Sequence, residues 1–181
     1  MKNIEVELRS FISDKKYDQL LKLFNKEGKL VSKDNQITYS LNDRNNIRIQ
    51  KNDFGSKLWI KLGGENQHDA VHEEVEIKFN RNDFDKMEKA VTIMGFAPKI
   101  KWFRKRHTFR WRGISAMVDY TKGYGYILEL EKLCNKGDEE SVLTMLKERM
   151  HDLNLKVTPK EEFDKRYAYY KENWRKLTAS K

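Results

Sequence analysis

The chain has 181 residues, 38% hydrophobic and 36% charged, with a formal net charge of +9, enough for one domain with its own core or at most two small ones. A single cysteine, Cys134, excludes an internal disulfide and a cysteine-built metal centre. No signal peptide opens the chain and no apolar run nears the ~18 residues of a membrane span, so a cytoplasmic setting without membrane is expected, and the positive balance points to anionic partners.

The elements follow from periodicity. In "NIEVELRSF" Glu5, Glu7 and Arg9 share one strand face and Ile4, Val6 and Leu8 the other. A helix is expected over 14–27, capped by Ser13, ended by Gly28, with Tyr17, Leu20, Leu21 and Phe24 as its apolar stripe. Four alternating strands come next: "QITYSL" (Gln36, Thr38 and Ser40 on the polar face), "NIRIQK" (Arg48, Gln50), "KLWIKL" (Lys57, Trp59, Lys61) and "HEEVEIKF" (Glu74, Glu76, Lys78). A second helix is expected over 83–94, with Phe84, Met87, Val91 and Met94 inward. The strands "KWFRKRHTFRWR", "ISAMVDY" and "GYGYILELEK" follow, and the last again sets two carboxylates, Glu129 and Glu131, on one face. A helix over 138–153 carries Val142, Leu143, Leu146 and Met150. The final helix opens at "TPKEEF", where Thr158 is expected to cap, Pro159 to take the first helical position and Glu161 to complete a capping box. Its stripe is Phe163, Tyr167, Tyr170 and Trp174. With no repeat, no low-complexity linker and two prolines, one domain over 1–176 is expected, with a frayed tail at 177–181.

Almost every strand has an apolar face and a polar one. An antiparallel sheet with its polar face in water would explain that. Two features argue for a different arrangement: four helices are available to cover the apolar faces, and the charges are sorted by strand. Glutamate pairs occupy the first, fifth and eighth strands, and arginine or lysine the third, fourth and sixth. The expected fold is therefore α+β: an eight-stranded, mostly antiparallel barrel with flanking helices and a polar lumen. Carboxylates in such a lumen can hold divalent cations and basic residues can hold phosphates.

At this level the residues resemble a family. "EVELR" resembles the ExExK signature of the CYTH superfamily, the triphosphate tunnel metalloenzymes. In order after it, "NIRI" resembles the family's LRIR strand, "LWIK" its LTLK strand, "EEVEI" its RxExE strand and "FRKRHTF" its K-x-R-x-x-Y element. "VDYTKGYGYILELE" is similar to its closing D-x-x-x-G-x-G-x-x-x-E-x-E. The resemblance spans roughly residues 4–131. It implies that Glu5, Glu7, Asp119, Glu129 and Glu131 bind one or two Mg²⁺ or Mn²⁺ ions. It also implies that Arg9, Arg48, Lys61, Arg104 and Arg106 grip a triphosphate, and that Arg9, Glu7 and Glu129 take part in catalysis. Arg9 replaces the usual lysine, and Gln50 stands where a second arginine is common.

The preferred activity is hydrolysis of a triphosphate-containing small molecule, inorganic, nucleoside or organic. A class IV adenylyl cyclase, releasing cyclic AMP and pyrophosphate from ATP, is the alternative. A nucleic-acid-binding module or an RNA 5′-triphosphatase is a further one, with nucleic acid the less favoured partner; monomer and homodimer both remain open. Lys57, Arg110 and Arg112 are weighed as extensions of the basic wall, and Glu74 and Glu76 as its ion-pair partners. The histidines at 68, 72, 107 and 151 show no ligand spacing, and "LGGE" at 62–65 reads as a turn.

Overall fold

The computed structural model describes residues 4–42, 47–62 and 71–179, with all their side chains except those of 42, 61, 62 and 71–74. Alternation decides the first element: β1 (Ile4–Ile12) sends Val6 and Leu8 into an outer apolar cluster and turns Glu7 and Arg9 inward. The Ser13 hydroxyl accepts the Lys16 N–H at 3.2 Å and starts α1 (Asp14–Glu27). Four strands follow, β2 (Lys29–Asn42), β3 (Ile47–Lys51), β4 (Ser56–Leu62) and β5 (Val71–Phe79). A 3-10 turn over Arg81–Asp83 leads into α2 (Phe84–Ile93). Then come β6 (Ile100–Trp111), β7 (Ile114–Thr121), β8 (Gly125–Cys134), α3 (Glu139–Asp152) and α4 (Lys160–Thr178).

Each strand pairs antiparallel with two others in the order β1-β5-β4-β3-β2-β6-β7-β8, and β8 returns to β1, so the sheet closes into a barrel. The expected eight-stranded barrel with flanking helices is what forms. Eight strands enclose room for side chains and one small ligand. Helices cover much of the outer apolar surface, but not β5, whose Val75 and Ile77 stay 44% and 55% exposed. Phe24 of α1 packs edge-on against Trp111 at 5.2 Å, and Val142, Leu146 and Met150 of α3 join Val6, Leu128 and Leu130 in the same cluster. Phe84 and Val91 of α2 cover Tyr39, Leu41 and Ile49. Tyr170 and Trp174 of α4 close around Ile100; the tyrosine hydroxyl donates to the Lys101 carbonyl at 3.0 Å and the indole N–H to the Lys99 carbonyl at 3.2 Å.

Two local expectations are corrected. Met94 does not face inward but is 62% exposed: α2 ends at Ile93, and Gly95, at φ 90°, turns the chain so that Phe96 packs on the α2 cluster instead. Thr158 forms no capping box, because Pro159 occupies the cap position and Thr158 is recruited by β1. β5 covers β1 only at Ile4–Val6, which leaves backbone groups further along that edge to be satisfied. Thr158 N–H donates to the Arg9 carbonyl at 3.1 Å, Thr158 Oγ1 accepts the Phe11 N–H at 2.9 Å, and the Ser10 hydroxyl donates to the Lys156 carbonyl at 2.8 Å. These bonds fix the start of α4 at one end of the barrel. At its other end α4 runs to Thr178, and Leu177 lies over Gly123. A Cβ on Gly123 would stand 2.6 Å from Leu177 Cβ, and its φ of 74° also favours glycine. Thr158→Ala should cost about 1 kcal/mol, the net worth of one part-buried hydrogen bond, read as a lower midpoint in urea unfolding.

Candidate active site

The pairing registers set inward side chains opposite one another around the barrel: Arg48 faces Trp59 across β3 and β4, Thr38 faces Gln50 and Trp102 on the strands to either side, and Arg104 and Arg106 face Thr121 and Asp119 of β7. β1 and β8 place Glu7 opposite Glu131 and Arg9 opposite Glu129. The lumen holds a chamber of about 320 Å³, lined by Glu5, Glu7, Glu129 and Glu131 on one side and by Arg48, Lys57, Trp59 and Arg104 among others. A smaller annex of about 60 Å³ on the α4 side shares Arg9, Arg48, Trp59 and Arg104 with it and adds Trp102, Tyr124, Phe163 and Tyr167.

Charge is divided unequally along this lumen. Asp119, 1% exposed, accepts hydrogen bonds from Arg106 Nε at 2.9 Å (Oδ1) and 3.2 Å (Oδ2) and from Arg106 Nη2 at 2.6 Å (Oδ2); Arg104 Nη1 stands 3.6 Å away. Arg106 Nη2 also reaches Glu129 Oε1 at 3.2 Å. Burial disfavours the Arg106 charge, but Asp119 and Glu129 outweigh it and hold the pKa well above the ordinary arginine value. Arg48 and Arg104 show the opposite balance. Burial, and then repulsion from Arg104 and Arg9, brings Arg48 down to about 10, and burial lowers Arg104 despite Asp119. This part of the wall crowds positive charges against one another, a strain that an anion would relieve. Glu131 is the mirror case: burial, then Glu129 and Glu5, push its carboxyl up to about 8. Burial raises Glu129 as well, but Arg106 outweighs it and the net shift is downward.

The divalent ion implied by the family resemblance suits this donor set. Four carboxylates offer only oxygen, the preferred ligand of Mg²⁺ and Mn²⁺, and the raised Glu131 marks a local shortage of positive charge. Among the described residues, no three carboxylates, imidazoles or thiolates converge closely enough to hold an ion. Repulsion between facing carboxylates separates them, and Arg9, 3.5 Å from Glu7, and Arg106 draw two of them aside.

Of the site residues expected from sequence, Glu5, Glu7, Arg9, Arg48, Arg104, Arg106, Glu129 and Glu131 line one chamber. Asp119 is not part of that chamber's lining; it lines the annex together with Glu129, and Arg106 Nη2 contacts both. Lys61 lies on β4 opposite Glu74, and both side chains fall outside the described residues, as do His68, the His72 side chain and, of the "LGGE" segment, residues 63–65. Lys57 joins the wall and pairs with Glu76. Arg110 is exposed and Arg112 pairs with Glu27 and Asp152, so neither extends the wall.

Other lumenal residues had no assigned role. Gln50 Nε2 donates to Thr38 Oγ1 at 2.9 Å and to Gln36 Oε1 at 3.3 Å, and Gln36 Nε2 donates to Asp34 at 3.3 Å. A neutral amide ladder thus stands where a second arginine is common. Trp59 sits between Arg48, 5.8 Å from its ring centre, and Lys57, 4.8 Å away. Strand parity placed these residues inside but could not say that they touch. No helix among the described residues is long and apolar enough to cross a membrane.

Comparison with known proteins gives structural likeness alone. No family model matches the chain, and no curated protein does. A conserved hypothetical protein from Pyrococcus furiosus superposes with a TM-score of 0.68 at 22% identity, over 86% of this chain and 96% of that one. A candidate adenylate cyclase from Vibrio parahaemolyticus gives 0.70 at 12% identity, over 90% and 98%. A candidate adenylyl cyclase from Hippeastrum, described as having a dominant triphosphatase activity, gives 0.61 at 17% identity, over 88% and 93%. The fold of this chain is the fold of these proteins, and it is the tunnel architecture that the resemblance to the CYTH superfamily implied.

Proposed function

We propose that this chain is a divalent-metal-dependent enzyme of the CYTH superfamily that hydrolyses a triphosphate bound in its barrel. One observation carries the proposal: Arg48 and Arg104, both lowered chiefly by burial and then by neighbouring arginines, share a chamber of about 320 Å³ with the four glutamates of β1 and β8. A polyanion with a divalent ion satisfies both walls together; neither partner alone does.

Catalysis here is positioning and charge neutralisation. Arg9, Arg48 and Arg104 hold the phosphate oxygens, and Asp119 and Arg106 brace one another so that Arg104 stays on the wall. Glu7 and Glu129, nearest Arg9, orient a water in line with the terminal phosphorus. The water oxygen bonds to phosphorus, the bridging P–O bond breaks, and the water proton passes to a carboxylate. Glu5, Glu7, Glu129 and Glu131 would hold the divalent ion, which would supply charge neutralisation at the phosphate oxygens.

The description of the Vibrio parahaemolyticus neighbour supports a second reading, an adenylyl cyclase in which the ribose 3′-hydroxyl attacks the α-phosphorus. Product analysis decides. Pure protein is incubated with inorganic triphosphate, ATP and thiamine triphosphate, each with Mg²⁺ or Mn²⁺. Orthophosphate from at least one substrate is the expected result. Cyclic AMP with pyrophosphate from ATP establishes the cyclase instead, and no product from any substrate removes the enzyme proposal.

A further inference from the structure

A tryptophan inside a charged barrel needs a physical reason. Trp59 is 6% exposed and lines both the chamber and the annex, at the place where the LTLK strand that "LWIK" resembles has threonine. The registers set it in one cross-strand row, with Arg48 opposite it on β3 and Glu76 opposite it on β5, and all three line the chamber. Neighbouring strands are about 4.8 Å apart, so the Arg48 and Glu76 backbones stand about 10 Å from each other, a gap that two long side chains can bridge when nothing lies between them. The indole lies in that gap. Charge is partitioned about the ring. Glu76 pairs with Lys57 and, at 3.4 Å, with Lys78; burial opposes its charge, but these lysines outweigh it and hold the carboxyl below its ordinary value. Arg48 responds, after burial, to Arg104, Tyr167, Arg9 and Glu7. Lys57 and Glu76 line the chamber, whereas Arg48 and Arg104 line the annex as well. The Arg48 guanidinium is 5.8 Å from the ring centre, and a π-face orients a cation without neutralising it.

We propose that Trp59 is a positioning residue for substrate binding: its indole keeps Arg48 and Glu76 apart and so reserves the Arg48 guanidinium for the triphosphate. The inference rests on the triphosphate proposal and deepens it, because it names what keeps one phosphate ligand available. A ring suits the task. It blocks the approach of guanidinium to carboxylate and offers the carboxylate no competing charge. With a short side chain at this place, an ion pair with Glu76 would answer the crowding around Arg48, and the substrate would have to break that pair before binding. Strand formation does not call for the indole here, since threonine also suits a strand.

The test is equilibrium titration with methylene-bridged inorganic triphosphate and Mg²⁺. Trp59→Thr is expected to weaken binding by about tenfold or more, because the ligand must displace Glu76 from Arg48. Trp59→Phe, which keeps a ring in the gap, should stay within about threefold of wild type. The deciding variant combines Trp59→Thr with Glu76→Gln. It has lost the same indole but leaves Arg48 no carboxylate across the row, so its affinity should return to within about threefold of Glu76→Gln alone. Thermal unfolding of each variant reads the packing lost with the indole, which Glu76→Gln does not restore. Trp59→Val supplies the same cycle if threonine prevents folding. Two results overturn the inference: Trp59→Thr binding as tightly as wild type, or an equal loss from Trp59→Thr with and without Glu76→Gln, which would reduce the indole to packing. Wild-type protein that binds no triphosphate removes the triphosphate proposal itself, and this inference with it.

Discussion

Glu131→Gln is expected to lower activity by roughly a hundredfold or more while making the chelator-treated protein more stable at pH 8. The first effect follows from losing one carboxylate of the proposed metal set, whose charge stabilisation is worth several kcal/mol in the transition state. The second follows from the site's own repulsion. Burial, Glu129 and Glu5 hold the Glu131 carboxyl up to about 8, against an ordinary 4.5. Between those values the folded chain binds more protons than the unfolded chain, so stability falls as pH rises. The contribution is fully present below about 4.5 and lost as pH passes about 8, a change on the order of 3 kcal/mol after allowing for the partly exposed carboxylate. Glu129 works in the other direction: its lowered pKa adds stability above its ordinary value that is lost as pH falls. The metal-free protein should therefore lose stability from pH 5 to 8, Mg²⁺ should restore it, and Glu131→Gln should flatten the slope. Urea unfolding at several pH values, with and without Mg²⁺, measures all three. A Glu131→Gln protein that keeps full activity, or a wild-type protein equally stable at pH 5 and 8 in chelator, contradicts this account.

The barrel was legible because its signals are repetitive. Period-two alternation in eight segments fixes which residues face inward, and the sign of the inward residue separates carboxylate strands from basic ones. Closure could be inferred from four helices needing apolar faces to cover. Contacts between the inward side chains could not. Arg106 reads as a phosphate ligand by position, yet its neighbour on β7 is Asp119, and a buried carboxylate holds the guanidinium at 2.6 Å. Arg106 lines the chamber all the same; which cation a carboxylate braces depends on cross-strand register, and alternation carries no register. Thr158 fails for a related reason. Its local pattern suits a helix cap, but the uncovered edge of β1 competes for the same hydroxyl and wins. Gly123 was visible only as a motif glycine, and the structure supplies its reason in Leu177, 54 positions away in the chain.

Arg48→Ala and Arg106→Ala should separate substrate binding from structure. Arg48 is lowered to about 10 by burial and by Arg104 and Arg9, so its removal relieves repulsion in the empty tunnel and should leave stability nearly unchanged. With triphosphate bound, the same substitution removes a charge-assisted hydrogen bond worth about 2–3 kcal/mol, which weakens binding by about 30- to 150-fold. Arg106→Ala strands Asp119, which is 1% exposed and accepts hydrogen bonds from both Nε and Nη2 of Arg106. Breaking one partner of such a pair costs about 3–5 kcal/mol of stability, and triphosphate binding falls with it as Arg104 loses its brace. Lys171 and Arg175 provide the control. Both are exposed on α4, away from the tunnel, and Arg175 lies over Trp174 at 4.7 Å. Replacing both with Ala should change triphosphate affinity by less than twofold. If the basic balance of the chain serves nucleic acid instead, the ranking inverts. The surface pair then reduces single-stranded RNA binding and flattens its salt dependence by roughly one counterion for each phosphate no longer neutralised, while Arg48→Ala has no effect. Titrating each variant with a non-hydrolysable triphosphate and with single-stranded RNA at two salt concentrations distinguishes the cases. Unchanged triphosphate affinity in Arg48→Ala, together with abolished RNA binding in the surface pair, would remove the tunnel from the function of this protein.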